Sequence, residues 1–65
     1  MNYYKDAVTG CILELMINYN YDTRYFMMRN LTLGGVEIFR GDISDIDNSH
    51  RWTKLTKSEA FLELL

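Results

Sequence analysis

Arg29-Asn30-Leu31-Thr32-Leu33-Gly34-Gly35-Val36-Glu37-Ile38-Phe39-Arg40-Gly41 is the stretch whose reading decides the fold. At a helical step of about 100° per residue, Leu31, Gly34, Gly35, Ile38 and Phe39 fall on one side. Leu33, Val36, Glu37 and Arg40 fall on the other. The spacing predicts a helix with two working faces. One lies on a sheet, and the paired glycines let its backbone come close, at about 1 kcal/mol each in helix propensity. The other sets two apolar residues beside a carboxylate and a guanidinium, a mixture suited to contact with another chain. Asn30 stands where an N-cap belongs, and Gly41 where a left-handed residue closes a helix.

On the N-terminal side, Thr23 to Arg29 reads as a strand with apolar groups on both faces, Tyr25 and Met27 on one and Phe26 and Met28 on the other. Before it, Asn20-Tyr21-Asp22 carries turn residues. From Cys11 to Tyr19 the chain alternates, with Cys11, Leu13, Leu15, Ile17 and Tyr19 on one side, the period of a strand with a buried face. The two strands make a hairpin. Residues 1–8 show no such pattern and read as a tether.

On the C-terminal side, Asp42 to Asn48 is a polar loop with three aspartates. It lacks the glycine and the closing acidic residue of a calcium loop, so it reads as a solvated acidic loop. Ser49 to Leu55 reads as a third strand. Thr56-Lys57-Ser58-Glu59 fits a capping box ahead of a short terminal helix. The expected fold is α+β, in ββαβ order: a three-stranded antiparallel sheet carrying one helix, with a C-terminal helical turn, as one domain over residues 1–65.

A 65-residue domain removes only about 60% of its unfolded surface from water. With one cysteine it has no internal disulfide, and Cys11 with His50 cannot complete a four-ligand zinc site. Oligomerisation is the stabilising device that remains, and an apolar content of 48% agrees. Seven basic residues against nine acidic ones argue against nucleic-acid binding. No run approaches the ~20 apolar residues of a membrane-spanning helix, and the start lacks the order of a signal peptide. The expected place is the cytoplasm.

Catalysis finds little support. Cys11 belongs to a buried strand face, His50 is the only histidine, and Gly34-Gly35 sits within the expected helix rather than before it, so no phosphate cradle forms. No cofactor and no metal are expected. Arg24-Tyr25-Phe26 and His50-Arg51-Trp52 interleave arginine with aromatics as a single-strand binder would. The acidic total favours arginine stems covering a half-buried sheet.

The stretch from Tyr25 to Gly41, with Leu31-Thr32-Leu33 and then Val36-Glu37-Ile38-Phe39 before a glycine, resembles the small uracil-DNA glycosylase inhibitors of protein-primed, short-tailed Bacillus phages. A weaker similarity runs back over Ile12 to Ile17. The resemblance implies a homodimer in the host bacterial cytoplasm that joins two sheets and sets two helices side by side around an apolar groove. That groove captures the apolar side chain the enzyme inserts into DNA, while acidic groups stand in for phosphates. It assigns target binding to Glu37, Val36, Arg40, Leu33, Asp42 and Asp45, and dimer and groove contacts to Val36, Leu33, Tyr25 and Met27. Val36 replaces a larger aromatic of the family pattern, and Arg40 replaces another aromatic. The alternatives are a protein that blocks a different host enzyme and a single-strand nucleic-acid-binding accessory protein.

Overall fold

Asp6 shapes the N-terminal end of the chain by closing a turn on itself. Its Oδ1 accepts from the backbone N–H of Val8 at 2.9 Å, and its carbonyl accepts from Gly10 N at 2.7 Å. Gly10, at φ +75°, supplies the left-handed residue that such a turn needs. Tyr3–Asp6 therefore becomes a strand, β1, paired antiparallel with β2, Ile12–Met16. The expected N-terminal tether is in fact an interior strand of the sheet. The computed structural model describes residues 2–16, 25–47 and 49–65. The expected turn at Asn20-Tyr21-Asp22, with Ile17 and Tyr19, lies outside the described residues.

The chain continues as β3, Tyr25–Asn30, and β4, Val36–Arg40, then β5, Trp52–Leu55, and one helix, α1, Lys57–Leu64. The strands form one antiparallel sheet in the order β4-β3-β2-β1-β5. This corrects the expected three-stranded sheet in ββαβ order: the sheet has five strands, and the helix is C-terminal.

The central helix is the reading that fails. Gly34 and Gly35 stand at φ +87° and +81°, on the opposite side of zero from helical backbone near −63°. Asn30 caps a turn instead of a helix. Its Oδ1 accepts from Thr32 N at 3.0 Å and Leu33 N at 2.8 Å, its carbonyl accepts from Gly34 N at 2.9 Å, and its N–H donates to Gly35 O at 2.9 Å. The chain reverses, and Val36, Ile38 and Phe39, good strand formers, run back along β3. The reversal is tied to its neighbour as well: Thr32 Oγ1 accepts from Ile12 N at 2.9 Å. Gly41, at φ +138°, ends a strand and not a helix.

Both sheet faces carry core. On one, Tyr3, Ile12 and Ala60 are buried with Leu31, Leu55 and Leu64 packed around them, so α1 lies here. Its start is the expected capping box: Thr56 Oγ1 accepts from Glu59 N at 3.1 Å and Glu59 Oε1 accepts from Thr56 N at 2.9 Å. On the other face Tyr4, Leu13, Phe26 and Met28 meet Ile46, with Leu15, Phe39 and Trp52 around them. A 3₁₀ turn at Ile43–Asp45 delivers Ile46, so the acidic loop is also a lid on the second core.

One buried ion pair joins the N-terminal turn to the approach of β5. The Arg51 guanidinium donates from Nε to Asp6 Oδ1 and from Nη2 to Asp6 Oδ2, both at 2.9 Å, and Asp6 is only 1% exposed. Hydrogen bonding from Arg51 holds the Asp6 carboxyl below its usual range, against burial, which pushes it up; the Val8 N–H adds to the lowering. Native Asp6 thus binds a proton less readily than unfolded Asp6. Its stabilisation is complete above the unfolded value near 3.9 and is lost as pH falls through the lower native one. Asp6→Asn should cost about 2 kcal/mol at neutral pH and flatten the acid limb of stability, measured by urea unfolding across the acid range. An unchanged acid limb would show that the pair does not hold the fold.

Candidate protein-binding surface

The sheet is wider than its cover. Five strands at about 4.8 Å spacing span about 19 Å, whereas one helix is about 10 Å across. The helix packs on β1, β2 and β5, so among the described residues its face of the sheet is left bare over β3 and β4. Across that bare part, register aligns Met16 with Met27 and Met27 with Ile38, a continuous apolar row over three strands. A second row runs Glu14, Arg29, Val36, with Arg29 Nη1 3.9 Å from Glu14 Oε1, and Tyr25 stands opposite Arg40. Ile38 is 67% exposed and Val36 49%. Methionine side chains can adapt their shape to a neighbour, and an apolar strip at this exposure is a candidate contact surface.

Strand β4 is also an open edge. Asn30 N–H donates to Gly35 O, and the antiparallel alternation from that pair turns Glu37 and Phe39 toward β3. The backbone groups of Val36, Ile38 and Arg40 therefore face outward. No proline or lysine blunts this edge. The opposite edge, β5, carries Lys54 and has α1 against it.

The residues singled out in the sequence redistribute on this frame. Of the residues expected at the groove, Tyr25, Met27 and Val36 lie on one face of the sheet, with Leu33 79% exposed at the hairpin apex. Glu37 does not join them, because a strand alternates where a helix would have grouped positions 33, 36, 37 and 40. It lies on the other face, where its Oε2 accepts from Asn30 Nδ2 at 3.4 Å. Ile38, assigned to the sheet side of the expected helix, is instead the most exposed member of the strip. Arg40 is exposed at the end of β4.

The acidic loop is largely engaged with itself. Asp42 Oδ1 accepts from Ser44 N and Asp45 Oδ2 from Asp42 N, both at 3.2 Å. Asp47 Oδ1 accepts from Tyr4 OH at 3.4 Å, and burial first, then the Asp47 charge, raises the Tyr4 hydroxyl. Among the described residues no cluster of three metal-ligating side chains forms, and no helix is long and apolar enough to cross a membrane. Of the aromatics considered for base stacking, Tyr25 lies on the bare face, while Phe26 and Trp52 meet on the other, 6.3 Å apart. No protein-family model, no curated protein and no solved structure matches this chain.

A pair of substitutions checks the placement. At a concentration where wild type sediments as a monomer, Ile38→Lys should change unfolding free energy by no more than about 0.5 kcal/mol, since the strip is outside the core. Met28→Ala, at a fully buried site, should cost about 2–5 kcal/mol. Comparable losses from both would return Ile38 to the interior.

Proposed function

We propose that this chain is a non-catalytic protein-binding module that pairs with a second copy along β4 and presents its bare strip to a protein target, uracil-DNA glycosylase. The observation that carries the reading is exposed Ile38 and Val36 on the edge strand β4, with Ile38 in register with half-buried Met27. The target rests on the resemblance over Tyr25 to Gly41 alone. The contact differs from the one that resemblance implies: with no helix in this stretch, an inserted apolar side chain would lie on the strip near Val36 and Ile38, not between helices.

The edge has a self-complementary register. An antiparallel pairing centred on Ile38 sets Val36 opposite Arg40 and Glu37 opposite Phe39 of the second copy, and joins the outward backbone groups at 36, 38 and 40. Centring on Glu37 would oppose two carboxylates, a destabilising pair. Centring on Phe39 would leave Val36 beyond the paired strand. In the Ile38 register Glu37 approaches the Phe39 ring of the second copy, over which Arg51 sits at 5.2 Å, so opposite charges meet.

In a uracil-excision assay, micromolar protein should slow the glycosylase, and Ile38→Glu should weaken that inhibition at least about tenfold, or 1.4 kcal/mol. Full excision rate under a large molar excess of wild-type protein would exclude this target. Sedimentation is independent of the target: a dimer for wild type and a monomer for Ile38→Glu are expected, and a wild-type monomer at the same concentration would exclude edge pairing.

A further inference from the structure

The sheet face that carries α1 is a step. Its raised half is one helix about 10 Å across, and its bare half, β3 and β4, is two strands of about 4.8 Å each, so the two halves have about the same width. They match in length as well: the eight residues of α1 rise about 12 Å, and Val36–Arg40 spans about 14 Å of strand. Two contacts with β1 set the direction of α1. The Phe61 ring stands 6.1 Å from that of Tyr3, and Lys5 Nζ donates to Glu63 Oε2 at 3.1 Å, so the helix runs along the strand.

The helix is apolar on the side turned away from its own sheet. Ala60 and Leu64 pack on the sheet with Tyr3 and Ile12. At about 100° per residue, Leu62 then points the opposite way, and Phe61 and Leu65 lie between. All three are exposed, Leu62 to 68%. A helix on the surface of a lone domain ordinarily turns polar residues to that side.

Charge is sorted to match. Glu59 and Glu63 lie on the flank of α1 toward β5, where they line a groove with Leu55 and Leu62. Glu59 spends Oε1 on the Thr56 N–H and Glu63 spends Oε2 on Lys5, which leaves each carboxylate a second oxygen. The strands of the bare half set Arg29 and Arg40 on this face. One carboxylate, Glu14 of β2, stands 3.9 Å from Arg29, and Arg40 forms no ion pair among the described residues.

We propose that a second copy of this chain covers the strip with its own α1. A two-fold axis along the strands lowers the raised half of each copy into the bare half of the other, with Leu62 and Leu65 on Val36 and Ile38. The same rotation carries β4 of one copy over the β5 side of the other, so Glu59 and Glu63 meet Arg40 of the second copy. Such a contact is isologous and closes at two copies. It uses the sheet face and not the backbone groups of the β4 edge, so it is separate from edge pairing. The inference rests on the strip being a binding face and names its occupant when no target is bound: a target displaces α1 of the second copy.

Single cysteines trap this contact, since Cys11 is buried. Leu62→Cys and Ile38→Cys fall at exposed positions. Mixed in oxidised glutathione, with one chain isotope-labelled, they should form the mixed disulfide at least about tenfold faster than Ile38→Cys does with Lys54→Cys. Lys54 is exposed on the other face of the sheet, beside Trp52 in β5. Adding Arg40→Glu to the Ile38→Cys chain should slow the trapping about tenfold, because it opposes like charges. A rate equal to that of the Lys54→Cys control, or no effect of Arg40→Glu, would overturn the cover. Neither result touches the strip as the seat of a target, which is read separately from the loss of inhibition in Ile38→Glu.

Discussion

The architecture hangs on the side chain of Asn30. Buried at the end of β3, its carboxamide oxygen gathers the N–H groups of Thr32 and Leu33 while its main chain bonds Gly34 and Gly35, so four donor or acceptor sites of one residue close the reversal. Two glycines at positive φ then complete it at positions where a side chain would be strained. Once that turn is closed, residues 36–40 must run antiparallel to β3, and everything said of the surface follows. Val36 and Ile38 go to one face, Glu37 and Phe39 to the other, and β4 becomes an edge.

A second constraint is the shortage of cover. One helix of eight residues shields β1, β2 and β5, and the loop carrying Ile46 shields the far face. Nothing comparable among the described residues lies over Met27 and Ile38. In the proposed reading, a second polypeptide laid on the strip would remove that apolar surface from water. The two sheet faces thereby acquire different characters: one offers an adaptable methionine row, the other an aromatic and guanidinium cluster locked by Asp6.

Legibility in the sequence was uneven, for identifiable reasons. The strand at Ile12–Met16 and the one at Tyr25–Asn30 follow from alternation, and the terminal helix follows from Thr56 and Glu59, because each signal is local and periodic. The stretch 31–41 satisfies two periods at once. Leu31, Ile38 and Phe39 fit a helical stripe, while Val36 and Ile38 fit a strand, and the count of matches does not separate them. The decisive signal was Gly34-Gly35 between two runs of β-branched and aromatic residues, which is hairpin punctuation. Asp6 followed by Thr9-Gly10 was the corresponding signal for β1.

The candidate surfaces divide in the same way. Exposure of Leu33 and Val36 and the company of Tyr25 and Met27 were readable as types of residue in one region. Their separation from Glu37, and the meeting of Phe39, Arg51 and Trp52, depend on register between strands far apart in the chain. By itself the sequence determined the small α+β class, two of the strands and the capped final helix, since these rest on composition and on contacts between near neighbours. Only the tertiary structure decided that the middle stretch is strand, that the N-terminus is interior to the sheet, and which face remains bare. Those outcomes depend on Asp6 meeting Arg51 and on Thr32 meeting Ile12, contacts between residues 45 and 20 positions apart that no local period encodes.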